Sequence, residues 1–230
     1  DLLCALASIV IFSINIAKGV TPLWSVIFAA CTVVAYIGLF FVCNFKVLSP
    51  GANDNLTGVF VAVSALKCLK ESGIRYENTE VCALLTGSEE AGLRGATAFT
   101  KRHKGENKDV ETYIIAFDTM RDYDYMTIYH RDMTGMVKNS PEVVALLDEA
   151  CNDPDVNHPL PHGVVPFGAS DAAAFSRGGF KAAAVAGQNP KYAPYYHNRR
   201  DTPDQMIPET FALGLDIALA AIEAFDRDQK

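Results

Sequence analysis

Thr86-Gly87-Ser88-Glu89-Glu90-Ala91-Gly92-Leu93-Arg94-Gly95 follows the apolar run Val81-Cys82-Ala83-Leu84-Leu85. An uncharged run of strand length that empties into a glycine-containing acidic stretch reads as a buried strand, Glu80 to Thr86, ending in a loop. Open α/β sheets keep their ligands at that carboxyl edge. Adjacent Glu89 and Glu90 repel one another and cost desolvation when half-buried. A dication beside them reverses that charge logic, so that one glutamate holds the metal while its neighbour handles a proton. A solvated turn carrying two surface acids is the alternative.

Outward from this stretch, strands and helices alternate. Upstream, Ser49-Pro50-Gly51-Ala52-Asn53-Asp54-Asn55-Leu56-Thr57-Gly58 is loop by composition. The helical spacing of Val59, Val63, Leu66 and Leu69 predicts a helix that ends near Gly73. Downstream, a helix is expected over Ala91 to His103 and a charged turn over Lys104 to Asp109. A strand over Tyr113 to Phe117 runs into Asp118, and a shorter one covers Met126 to Tyr129. Ser140 and Pro141 open a helix through Cys151 as cap and first residue. A helix over Asp171 to Ser176, a small-residue strand over Lys181 to Ala186 and a closing helix over Phe211 to Phe225 complete the order. Such alternation implies an α/β three-layer sandwich, with a mostly parallel mixed sheet between helices.

The chain has 230 residues and a net charge of −7, an acidic balance that argues against a nucleic-acid partner. Charge is unevenly placed: between Leu2 and Cys43 the only charged residue is Lys18. The uncharged run Leu2–Ala17 would extend roughly 24 Å as a helix, and Val20–Cys43 roughly 36 Å, against a hydrocarbon core of ~30 Å. Trp24 and Lys46 suit interfacial positions. Residues 1–43 are therefore expected to form a two-helix transmembrane hairpin in contact with the lipid bilayer, which makes the protein a multi-pass membrane protein. Residues 44–230 form the other domain. The chain opens on Asp1 and reads as a fragment with sequence missing upstream. Its six cysteines form no Cys-x-x-Cys pair and read as buried free thiols.

Asp54 precedes a helix, Glu89 and Glu90 follow a strand, Asp118 ends one, and His197 lies in a late loop ahead of Asp201. In a parallel sheet such ends converge, and carboxylates with imidazole suit zinc. Singly each has another reading: Asp54 as a helix cap, Asp118 as a turn residue, His197 as a surface histidine beside Arg199 and Arg200. His130-x-Asp132 is the one other pair at metal-like spacing, and the remaining histidines read as surface or loop residues. A carboxylate four residues after His197 also suits an orienting role for Asp201.

Together, Gly51-Ala52-Asn53-Asp54-Asn55 with Thr57-Gly58, Ser88 to Gly95, Phe117-Asp118, Ser170-Asp171, and Tyr196-His197 with Asp201-Thr202 resemble the di-zinc aminopeptidase family. That metallopeptidase family includes bacterial leucyl aminopeptidases, glutamate carboxypeptidase and glutaminyl cyclase. The resemblance runs from about Ser49 to the closing helix. It implies that Asp54 bridges two zinc ions, that Glu90 and His197 ligate one of them, and that Asp118 ligates the other. It implies that Glu89 is the general base towards the water the metals activate. A peptide substrate follows, and so does a zinc-dependent exopeptidase, foremost an aminopeptidase. The alternatives are a one-zinc acyltransferase like glutaminyl cyclase and a non-catalytic receptor or scaffold of the same fold.

Two departures stand out. The family's His-x-Asp motif ahead of the bridging aspartate has no counterpart between Asp1 and Asp54, so its histidine is expected upstream of Asp1. Two zinc ions are therefore expected in the full-length protein, one of them incompletely liganded by this chain. Ser170-Asp171-Ala172 also stands where members often carry Ser-Asp-His, and no oxyanion donor can be named.

Overall fold

The structure is a computed structural model that describes residues 2–20, 22–42, 48–107 and 109–229. It divides into two compact units, Asp1–Leu48 and Ser49–Lys230, a few residues beyond the expected boundary at 43/44.

The first unit contains helices α1 (Leu2–Ala17) and α2 (Leu23–Val42). Many of their apolar side chains are exposed, Trp24 at 61% among them. Among the described residues, however, no helix is long and apolar enough to cross a membrane. The 16 residues of α1 reach roughly 24 Å, short of a ~30 Å hydrocarbon core. The expected transmembrane hairpin, bilayer contact and multi-pass location are therefore not supported. Cys43 and Lys46 lie outside the described residues.

The second unit is a mixed sheet with helices on both faces. Its helices are α3 (Thr57–Ser72), α4 (Arg94–His103), α5 (Pro141–Cys151), α6 (Asp171–Gly178) and α7 (Pro208–Asp228). Its strands are β1 (Lys104–Asn107), β2 (Tyr113–Met120), β3 (Met126–Asp132), β4 (Val137–Lys138), β5 (His162–Val164) and β6 (Lys181–Gly187). Within the sheet the order is β2-β6-β3-β4, with β5 also pairing β3. The β2–β6 and β3–β5 pairings are parallel, and β3 runs antiparallel to β6 and β4. The sheet is thus more evenly mixed than the expected mostly parallel one, because β3 returns antiparallel beside the central strand.

Strand periodicity sorts the core into two layers. On β6, Ala183 and Val185 pack with Val61, Ile128, Leu147 and Ile217 under α3, α5 and α7. Ala182 and Ala184 face the other way, onto Ala96, Ala172 and Phe175 of α4 and α6. A central strand buried on both faces explains the nearly continuous small apolar sequence. Gly73 ends α3 at φ 74°, as expected of a left-handed cap.

Three expectations fail. Lys104–Asn107, expected within a charged turn, is strand β1. Glu80–Thr86 is not a paired strand: it makes no backbone hydrogen bond to the sheet, and Leu84 and Leu85 are 43% and 54% exposed. Among the described residues β2 has no strand partner other than β6, so the apolar run finds no ladder to join. Nor are the free thiols all buried, for Cys151 is but Cys31 and Cys82 are exposed.

Candidate metal centre

Asp54 lies in the turn Ala52–Leu56 that leads into α3. Asp201, fully buried, holds that turn from across the chain: Oδ1 accepts from the Asn53 amide (2.9 Å) and side chain (2.6 Å), and Oδ2 accepts from the Asp54 amide (3.0 Å). On the other side, Asn55 Nδ2 donates to the Phe117 carbonyl (2.8 Å), while Asn55 Oδ1 accepts from the Thr119 (3.1 Å) and Gly58 (3.0 Å) amides. The Asp54 turn is thereby pinned to the end of β2, which carries Asp118. The Asp54–Asn55 peptide bond is cis.

The Glu89-Glu90 loop is a tight arch. Gly92 and Leu93 donate their amides to the Glu89 carbonyl at 2.8 and 2.7 Å. Gly95 donates to the Gly87 carbonyl at 2.9 Å, and a Cβ at Gly95 would fall 2.4 Å from that oxygen. His197 comes from the loop after β6, with the Tyr196 ring stacked on it at 3.7 Å between centroids. Ser88, Thr119 and His197 all have positive φ, at 56°, 44° and 55°. Such conformations are sparsely populated by non-glycine residues and cluster at functional sites.

These loops converge. His197 Nε2 lies 3.1 Å from Asp54 Oδ2 and 3.1 Å from Glu90 Oε1. One donor atom from each residue falls within 4.8 Å of the other two. Asp54, Glu89, Glu90, Asp118 and Asp171 line one cavity. Asp118 is on the cavity wall but outside the three-residue cluster.

Crowded carboxylates raise one another's pKa. Glu89 is pushed up to about 8, chiefly by burial and then by Asp118 and Glu90. Asp118 rises to about 7, again by burial first and then by Asp54. Burial also lifts Asp54, whereas the His197 hydrogen bond lowers Glu90. Hydrogen bonds to Asp54 and Glu90 raise His197 to about 10.

The donors fit zinc. Two carboxylates and an imidazole are a standard zinc set, and the partial exposure of the Glu90 and His197 side chains (63% and 48%) leaves room for a further ligand. Asp171 Oδ1 is a buried carboxylate oxygen without a hydrogen-bond partner, beside the same cavity.

Asp201 departs from its expected role, since its hydrogen bonds orient Asp54 rather than His197. In the sequence Asn53 and Asp171 stand out only as parts of motifs and Asn55 also as a candidate cap of α3, although two amides flanking an aspartate in a loop signal a side-chain-braced turn. The His130-x-Asp132 spacing has a structural explanation: buried Asp132 accepts from the Ser170 amide (3.0 Å) and hydroxyl (2.6 Å), which sets the start of α6. Of the loop tyrosines, Tyr195 is buried and donates to Asp122 at 3.2 Å, whereas Tyr192 is exposed.

A sheet between helix layers, with carboxylates and an imidazole gathered from loops at one end, defines an α/β protein whose converging donor set fits a metal ion. The pattern of Peptidase family M28 matches residues 37–222, and the chain belongs to that family. No curated protein sequence matches it. Among solved structures, it is similar to an aminopeptidase from Aneurinibacillus sp. strain AM-1, at 25% identity and TM-score 0.62, over 76% of this chain and 39% of that one. A zinc aminopeptidase from Bacillus subtilis matches at 22% and 0.63, over 76% and 42%. The Bacteroides thetaiotaomicron glutaminyl cyclase matches at 15% and 0.56, over 75% and 62%. The chain spans less than half the length of the two aminopeptidases.

Proposed function

We propose that this chain belongs to a zinc-dependent exopeptidase, foremost an aminopeptidase, with 44–230 as its metal-binding domain and 1–43 as a separate helical hairpin. The observation that carries the reading is His197 Nε2 at 3.1 Å from both Asp54 and Glu90, with Glu89 on the same cavity. Asp54, Glu90 and His197 would hold one zinc ion, and Asp54 and Asp118 would serve a second. Zinc, when bound, supplies Lewis-acid charge and lowers the pKa of water. Glu89, outside both ligand sets, would take a proton from the attacking water and pass it to the leaving amine as the peptide C–N bond breaks, for which a pKa near working pH is suited.

Two measurements test this. Glu89→Gln should keep its zinc by atomic absorption while hydrolysis of leucine para-nitroanilide falls about 10²–10⁴-fold, the range of general acid–base catalysis. Undiminished turnover would remove Glu89 from the reaction. Independently of activity, zinc titration should give one tight site and one much weaker, since only two carboxylates serve the second. Two equally tight sites would refute the ligand assignment.

A second reading has one observation in its favour: the converging donors among the described residues are three, a set sufficient for a single zinc ion. A transferase like glutaminyl cyclase would release ammonia from an amino-terminal glutaminyl peptide without liberating a free amino acid, whereas an aminopeptidase would liberate one.

A further inference from the structure

The loop between β6 and α7, which carries His197 and Asp201, is fastened to the two residues that follow β2. The Arg121 and Asp122 amides donate to the Gly187 carbonyl at 3.2 and 2.6 Å. Asp122 Oδ2 accepts from the Asn189 amide (2.8 Å) and the Tyr195 hydroxyl (3.2 Å), and Oδ1 pairs with Arg121 Nη1. The Arg121 guanidinium lies over the Tyr195 ring, 4.5 Å from its centroid, and Arg121 Nε donates to the Gln205 carbonyl at 2.9 Å. One ion pair therefore holds the loop at its start, its middle and its end. Tyr195 is 1% exposed, whereas the His197 side chain two residues on is 48% exposed.

We infer that Tyr195, clamped by Arg121 and Asp122, positions His197 for the metal through the backbone, a role that rests on the zinc reading above. A histidine that binds a metal ordinarily has its second ring nitrogen held by a hydrogen bond. Here His197 Nε2 faces Asp54 and Glu90, and no described residue hydrogen-bonds Nδ1. The imidazole is oriented instead by the stacked Tyr196 ring and by its own backbone at φ 55°, a conformation that persists only where the surroundings impose it. Tyr195 imposes it. Its carbonyl accepts the Asn198 amide at 3.3 Å, and Asn198 Nδ2 donates to the Pro194 (3.0 Å) and Tyr196 (2.9 Å) carbonyls, closing a turn around His197. The clamp is directional: the carboxylate fixes the tip of the Tyr195 ring, and the cation over its face fixes the plane. The Asn198 carbonyl in turn accepts the Asp201 amide at 3.1 Å, and Asp201 braces Asp54. Tyr195 thus serves two residues of the cluster, His197 through the turn and Asp54 through Asp201.

Metal binding by the 230-residue chain tests this. Tyr195→Phe keeps the ring over Arg121 and removes the hydroxyl. In competition with a chromophoric chelator it should weaken zinc about 10–100-fold, the usual loss when a group that orients a ligand is removed. The visible spectrum of the cobalt(II)-loaded chain should shift as well, because the imidazole meets the ion at a changed angle. Asp122→Ala should also weaken zinc, and the double variant should lose no more than Asp122→Ala alone, since the hydroxyl acts only through that carboxylate. Leu147→Ala, in the core beneath α5, is the control for general destabilisation. It should lower the melting temperature and leave zinc affinity and the cobalt spectrum unchanged where the protein is folded. Undiminished zinc affinity in Tyr195→Phe, losses that add in the double variant, or an equal loss in Leu147→Ala would overturn the inference. Zinc bound equally tightly by wild type and Tyr195→Phe would remove this positioning role alone, whereas no zinc bound by wild type would remove the zinc reading and this role with it.

Discussion

Asp201 has both carboxylate oxygens filled by donors from the turn that carries Asp54. Removing it leaves three donors of a buried turn without partners, at a cost of about 1–3 kcal/mol for each group left unsatisfied. Asp201→Ala should therefore lower the urea midpoint substantially and weaken zinc about 10–100-fold, the usual effect of losing a group that orients a ligand. Competition with a chromophoric chelator reads the second effect, and unchanged zinc affinity in a destabilised variant would confine Asp201 to folding. Its target was not legible in the chain, where His197 is four residues away and Asp54 is 147. Glu89, Glu90, Asp54 and His197 were legible as candidates because each stands at the end of an apolar run or inside a loop rich in turn residues.

Among elements, α3 and β2 touch where Gly58 meets the carbonyl of Phe117: a Cβ there would lie 2.1 Å from that oxygen. The oxygen is backbone, already bonded to Asn55, and cannot swing aside. Gly58→Ala should thus cost at least the ~1–3 kcal/mol typical of overpacking, despite alanine's better helix propensity. It should also loosen zinc, because Asn55 ties Asp54 to the Asp118 strand. A denaturation midpoint equal to wild type would show that the helix can slide. Helix spacing, caps and the alternating burial of β6 could be read from local composition. The fate of Glu80–Thr86 could not, since a strand needs a neighbour and the sequence of one segment says nothing about whether a neighbour is there.

In the molecule as a whole, the acidic centre makes metal-free stability depend on pH. Glu89 and Asp118 have folded pKa values of about 8 and about 7, above their ordinary 4.5 and 3.8. Their ionisation disfavours the folded state, so stability falls as pH rises from about 4 to about 8. His197 acts in the same direction: raised from 6.5 to about 10, its contribution is complete below 6.5 and is lost as pH rises toward 10. Glu90, lowered, opposes them only as pH falls below its ordinary 4.5. The metal-free chain should accordingly melt at lower temperature at pH 8 than at pH 5.5, and zinc should raise the melting temperature more at pH 8, where Asp118 is largely ionised and the His197 proton is displaced at less cost than at pH 5.5. Calorimetry with and without chelator checks this, and a melting temperature of the metal-free chain that rises over this interval would contradict it. The sequence alone determined which residues carry metal-ligating side chains, where the helices and the strands β2, β3 and β6 lie, and that strand–helix alternation makes an α/β fold, because periodicity and side-chain chemistry are local properties. Only the tertiary structure decided that Asp201 braces Asp54, that β3 turns the sheet mixed, and that an apolar run stands unpaired beside an open edge. Those are relations between segments up to about 150 residues apart, set by packing and backbone pairing that no single stretch encodes.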